Sequence, residues 1–374
     1  MVDATDTLPI SATTPGVRSG RFGRKVALFV VIIVAGIVLV GAGNYALDPF
    51  TYSRGAMTEM AAAFVSGRNY AVLDPNVDLR AIHREHVRLM RESPDIVIVG
   101  GSRWQEAAAA LVPDRKLFDA FVHNDYYEDL LATTELLRRY DRMPKTLMLS
   151  IRFVSFQPNE VRESSQWKEY GPEYRAMAHT LGLADPGWLA TAPFEKWTDL
   201  LSVDGAKVKL QERIKAPTPP GPIDGLSDPS RDIYAADGSL HFSDEHNRHD
   251  TPEFARSNAQ DTAAAERNRR LPVAPDKVEG LKKLIAYLKP RGVRVILAQT
   301  PFQPLYFDGI AHYPRGEDLR HVDAVVHQIG DELGVEVAGS LDAKAVGCDE
   351  DEFRDFNHPR PTCLRKLFQS IPNL

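Results

Sequence analysis

Hydrophobic and polar positions divide the chain into a few strongly patterned stretches. Residues 26–47, VALFVVIIVAGIVLVGAGNYAL, form 22 consecutive positions without a formal charge, about 33 Å long as a helix and enough to cross a bilayer. Further along, 95–99 (DIVIV) is a short β-branched run that ends at Gly100-Gly101. A helical pattern follows over 126–140, and a second apolar run at 146–151 (TLMLSI). Strand, helix, strand is the rhythm of a parallel sheet. It resumes late in the chain, where Val278, Leu281, Leu284, Ile285 and Leu288 fall on one helical face that stops at 290–292 before a strand at 293–298. Val322, Val325, Val326, Ile329 and Leu333 form another such face, closed by Gly334 before a strand at 335–338. The pattern predicts an α/β domain of three layers.

Two stretches lack such periodicity. Residues 1–24 read as a disordered tail, and about 160–275 as a long irregular insertion on the α/β domain. Within it, 216–229 (APTPPGPIDGLSDP) carries five prolines and is expected to be loop, since each removes a backbone donor.

Charge sets the orientation. Arg18, Arg21, Arg24 and Lys25 precede the apolar run and Asp48 follows it, so a retained anchor at 25–47 leaves the N-terminus in the cytoplasm and 48–374 outside, in the periplasm. A cleaved signal peptide is the alternative, with an apolar run of about 7–15 residues and a small-residue site such as Gly41-Ala42-Gly43. The whole chain has 374 residues, 43% hydrophobic and 26% charged, with 45 basic and 51 acidic residues and a net charge of -6. Disorder throughout is excluded, and nothing suggests a nucleic-acid partner.

Candidate chemistry lies at two places. Ser102 stands just past the predicted strand 95–99, at the sheet edge where open α/β folds bind ligands. By itself it reads more readily as a helix cap. Near the C-terminus, DFNHP places Asp355 and His358 in the spacing Asp-x-x-His. A serine hydroxyl needs a base, and the base needs a carboxylate to fix its tautomer. Ser102, His358 and Asp355 supply those three roles. His83 and His86 on an expected surface helix, and His241, His246 and His249 in an acidic stretch, lack a third ligand at motif spacing, so no metal and no cofactor is expected. Trp104 reads either as a cleft wall or as core.

In NYALDPF after the anchor, IVIVGGSRW and the terminal DFNH, the chain resembles the SGNH (GDSL-type) hydrolases. The likeness is to their membrane-anchored extracytoplasmic branch, which includes the lipoteichoic acid D-alanine transfer protein and relatives of the alginate O-acetylation proteins. YAADGSLHF, VILAQTPFQPLY and VEVAGSLD support it. The resemblance covers most of 44–158 and 275–374. It implies a flavodoxin-like parallel sheet, a serine acyl-enzyme mechanism, and a polysaccharide or glycan acceptor, with a membrane acyl-transfer protein as a further expected partner. It also implies an oxyanion hole from the Ser102 N–H and from Asn124, which stands near the place of the family's second-block Gly. The third block departs from the family, because Ile151-Arg152-Phe153 offers no Asn. The expected activity is an O-acyltransferase or esterase. A non-catalytic binding or assembly component on the same fold is the rival, and a secreted lipase is disfavoured by the anchor.

Cys348 and Cys363 are the only cysteines. In an oxidising compartment they are expected to pair and clasp the loop carrying Asp355 and His358, with two buried thiols as the alternative.

Overall fold

The computed structural model describes residues 19–47, 54–108, 111–112, 114–158, 166–184, 200–215 and 218–374; of the expected disordered tail, 1–18 lie outside them and 19–24 are instead helical, the first turns of the apolar helix. The apolar run forms helix α1 (Ser19–Leu47), whose stretch Gly23–Leu47 is long and apolar enough to cross a membrane. After it come α2 (Arg54–Val65), β1 (Asn69–Val72), α3 (Leu79–Leu89), β2 (Ile96–Gly101), β3 (Leu117–Val122), α4 (Tyr127–Arg139) and β4 (Thr146–Ser150). The second half holds α5 (Gly171–Thr180), α6 (Val203–Lys215), β5 (Gly221–Ile223), β6 (Asp232–Tyr234), β7 (Leu240–His241), α7 (Pro252–Glu266), α8 (Pro275–Leu288), β8 (Arg294–Gln299), α9 (Pro304–Ile310), α10 (Pro314–Leu333), β9 (Glu336–Gly339) and α11 (Pro361–Gln369).

Five strands form a parallel sheet in the order β3-β2-β4-β8-β9. Both faces of its middle are covered, so Ile96–Val99 and Leu147–Leu149 are buried at every position. That is why these strands read as unbroken apolar runs. Helices α8 and α10 each begin with proline in the first turn. Gly334 ends α10 at φ 57°, where glycine pays no steric penalty.

Three expectations need correction. The segment 160–275 is not irregular: it supplies α5, α6, α7 and β5–β7. Those three strands join β1 in an antiparallel sheet of order β5-β1-β6-β7. Strand β5 lies inside the proline-rich stretch expected as loop. Pro222 is tolerated because β5 is an edge strand, where a missing N–H breaks no ladder. Finally, α3 is not a surface helix. His83 and His86 are buried and meet Phe118 edge-on at 5.4 and 4.8 Å. Burial pulls their pKa values down to about 3 and about 4, so both imidazoles are neutral. They share the apolar phase of the helix with Leu79, Ile82 and Val87.

The edge of β3 is covered by the turn around Asp237-Gly238. Asp119 N–H donates to the Asp237 carbonyl at 2.7 Å. Gly238 has φ 91°, and a Cβ there would lie 2.2 Å from the Asp119 oxygen, so only glycine fits.

Candidate active site

The C-terminal end of β2 is the point at which the order of the parallel sheet reverses, with β3 on one side and β4 on the other. In open α/β sheets that switch point is where ligands bind. Two glycines end the strand because nothing larger fits. A Cβ on Gly100 would meet Ser150 Cβ at 2.3 Å, and one on Gly101 would meet the Asp125 carboxylate at 2.0 Å and the Arg152 guanidinium at 2.8 Å. Ser102 follows, half-buried, as the first residue of a single 3-10 turn, Ser102–Trp104.

The second component is a tight loop before α11. Phe353 and Pro359 form an antiparallel bridge, and Arg354 N–H donates to the His358 carbonyl at 2.9 Å, so 355–358 make the tip. Asp355 organises that tip. Its Oδ1 accepts the N–H groups of Asn357 and His358 at 2.8 and 2.9 Å, and its Oδ2 lies 2.7 Å from His358 Nδ1. On the other side of the ring, His358 Nε2 lies 2.9 Å from Ser102 Oγ. Serine, histidine and aspartate, more than 250 residues apart in sequence, therefore form one hydrogen-bonded chain. Burial alone would raise the Asp355 carboxyl. The charge and hydrogen bond of His358 and the two backbone donors outweigh it and hold the pKa at about 2.

Two arginines clamp the components together, one from each side. Arg103, next to the serine, is buried, and its Nε donates to the Asn357 carbonyl at 3.0 Å. It also donates to the Thr300 carbonyl and packs over Phe302 at 4.2 Å. Burial and the neighbouring Arg152 pull its pKa down to about 9. In return, Arg354 of the loop grips Glu106, four residues past the serine, through both carboxylate oxygens at 2.5 and 2.7 Å. Its remaining donor reaches Asp250 at 2.7 Å. Cys348 and Cys363 are joined as a disulfide, with Cα atoms 5.3 Å apart, and so bracket the same loop.

A polar cleft of about 200 Å³ is lined by Asn357, the neighbour of His358, and by Asp125 and Arg152, which lie against Gly101, the neighbour of Ser102; Ser102 and His358 themselves are not in its lining. Asn124 lines it with an exposed side chain and a left-handed backbone, φ 50°. Asp125 and Arg152 form an ion pair pressed against Gly101. Arg152, two residues after the end of β4, brings a guanidinium to the cleft. Phe153, Phe356, Glu266 and Arg315 continue the wall, and Arg315 donates to Glu266 at 2.8 Å. Among the described residues, Arg152 Nε, Arg315 Nη1 and Asp125 Oδ2 are buried without a hydrogen-bond partner.

Trp104 is core: it is fully buried and edge-on to Phe368 at 5.9 Å. Among the described residues, no three His, Cys, Asp or Glu side chains are grouped to hold a metal ion. Reading the sequence alone missed Arg103, Glu106, Arg354, Asp125 and Arg152. Their only signal was position, since each lies within four residues of a singled-out one or next to a strand end.

Compared with known proteins, the chain matches no family model, no curated protein and no solved structure.

Proposed function

We propose that the chain is an extracytoplasmic O-acyltransferase or acyl esterase of the SGNH type, anchored by α1 and acting on a cell-envelope or exported polysaccharide. The single observation that carries this reading is the relay Ser102–His358–Asp355, with contacts of 2.9 and 2.7 Å at the end of the switch-point strand. Within the parallel sheet the strands run 2-1-3-4-5 by chain order. That order supports a three-layer, flavodoxin-like architecture, as the resemblance implies. The disulfide supports an oxidising compartment, and with it a cytoplasmic N-terminus and an outward domain.

In this mechanism His358 Nε2 takes the Ser102 proton as Oγ attacks the acyl carbonyl carbon. Asp355 holds the ring with its Nδ1 protonated and stabilises the imidazolium. The developing oxyanion is met by the Ser102 N–H, with Asn124 and the Arg152 guanidinium in reach of the same cleft. Collapse expels the donor's leaving group with the proton from His358 and leaves an acyl-serine. A sugar hydroxyl or water, deprotonated by the same histidine, then attacks the acyl carbon and frees Ser102. The cleft suits a hydroxyl-rich acceptor, since its lining combines the polar side chains of Asn124, Arg152, Gln157 and Glu266 with the aromatic side chains of Phe153 and Phe356.

The test is covalent labelling of the detergent-solubilised full chain with a fluorophosphonate, mapped by peptide mass spectrometry. Wild type is expected to be modified at Ser102, and Ser102→Ala to be unmodified with an unchanged circular dichroism spectrum. A folded wild type that resists the reagent would favour the non-catalytic binding component instead.

A further inference from the structure

We infer that α6 lies along the outer surface of the bilayer beside the anchor, with its apolar stripe among the acyl chains and the bordering Lys207 on anionic phospholipid headgroups. The inference goes beyond the acyl-transfer reading and rests on it only for α1 crossing the membrane.

Position comes first. The outer end of α1 touches the start of α6 and the residues just before it. Asn44, the polar residue in that end of the apolar run, is wholly buried and donates through Nδ2 to the carbonyls of Leu200 and Ser202 at 2.7 and 2.8 Å. A Cβ on Gly41 would be in ordinary contact, 3.5 Å, with Leu201. Helix α6 therefore starts at the level where the crossing helix would leave the hydrocarbon.

Pattern comes second. At about 100° per residue, Val203, Ala206, Leu210 and Ile214 share one stripe of the helix VDGAKVKLQERIK. Val203, Leu210 and Ile214 are 66%, 49% and 71% exposed. Beyond α1 and this segment, the described residues expose only Leu226, Phe254 and Tyr313 among large apolar side chains away from the anchor, each on a different element. Scattered singles are ordinary, whereas a stripe continuous with a membrane helix is not.

Charge comes third. Lys207 borders the stripe, while the acidic Asp204 falls away from it. Basic residues bordering an apolar face are the arrangement of an interfacial helix on anionic lipid.

Since Cys348 and Cys363 are joined to each other, an introduced cysteine is the one reactive thiol. Nitroxide labels at Ile214→Cys, Val203→Cys, Leu226→Cys and Val34→Cys in the full chain, in nanodiscs containing phosphatidylglycerol, report depth by collision with oxygen against a water-soluble nickel chelate. The expected oxygen-to-nickel ratio is highest at 34, several-fold above the 226 control at both 203 and 214, and lowest at 226. Reversing the bordering charge with Lys207→Glu should return label 214 toward the 226 value. A deep label at 34 with 203 and 214 matching 226 would overturn the inference and leave the crossing intact. A water-exposed label at 34 would remove the crossing and this inference with it. Insensitivity of label 214 to the reversal would overturn the anionic-headgroup contact.

Discussion

Replacing Asp355 by Asn separates orientation of the base from its presence. The amide keeps the shape of the carboxyl, and its oxygen can still accept the N–H groups of Asn357 and His358. The other terminus, however, now donates toward His358 Nδ1, where the carboxylate accepted at 2.7 Å. The ring must respond by carrying its proton on Nε2, facing Ser102 Oγ at 2.9 Å. Nε2 then donates to the serine and cannot take its proton. A relay put into the wrong tautomer in this way loses on the order of ten-thousandfold in rate. Folding is affected much less. The carboxyl falls from 3.8 to about 2 on folding, which corresponds to about 2 kcal/mol of stability. As the folded value is the lower one, that stability is in full force above pH 3.8. It is lost as pH falls through about 2, and the Asn variant should lack this acid-dependent step. The rate is read as phosphonylation of Ser102 by a fluorophosphonate, which needs only an activated nucleophile and no knowledge of donor or acceptor. Phosphonylation of Asp355→Asn within an order of magnitude of wild type, in folded protein, would refute the claim that Asp355 sets the tautomer of His358.

Other consequences are open to test. Replacing Cys348 and Cys363 together by Ser opens a loop of sequence separation 15, and should lower stability by about 3 kcal/mol in the chain-entropy model. Phosphonylation should slow at temperatures where circular dichroism still reports a folded domain; unchanged melting and labelling would count against the clasp. Gly101→Ala places a Cβ 2.0 Å from the buried Asp125 carboxylate, so the Asp125–Arg152 pair must shift at a cost of about 1–3 kcal/mol. Labelling should fall with it, and a variant of wild-type stability and reactivity would deny the close approach. Alkaline phosphatase fused after Leu374 should be active and a cytoplasm-only reporter at the same site silent, the reverse pattern placing the domain inside.

What could be read in the sequence follows from how evenly each element is buried. The runs 95–99 and 146–151 lie in the middle of the parallel sheet and advertise themselves as unbroken apolar stretches. Strand β3 was overlooked because Asp119 interrupts LFDAFV. Its carboxyl is wholly buried, and desolvation, then the nearby Asp237, raises its pKa well above the usual range. A carboxyl kept neutral by its surroundings is written with the same letter as one in water. Strands β1 and β5–β7 are two to four residues long and pair across the chain, too short for any period to show.

The relay residues were legible for a different reason: their chemistry restricts the residue types, and Asp355 and His358 share one loop in which the aspartate caps the backbone of the histidine. The clamps are chemically just as specific, yet Glu106 and Arg354 stand 248 residues apart, and arginine in a sequence reads as surface. Only burial distinguishes them. Arg103 and Arg354 are each less than a tenth exposed, so each holds its partner where water cannot substitute for it. Breaking the Arg354–Glu106 pair would leave an uncompensated buried charge, worth about 3–5 kcal/mol, far more than an exposed pair of the same residues, whereas Arg103 holds the loop through the backbone carbonyls of Asn357 and Thr300. The distance between Ser102 and His358 is thus held by the buried Arg354–Glu106 pair and by the Arg103 hydrogen bonds to backbone carbonyls, added to the packing of Phe353 and Phe356, and the loop acquires the rigidity that proton transfer over 2.9 Å requires.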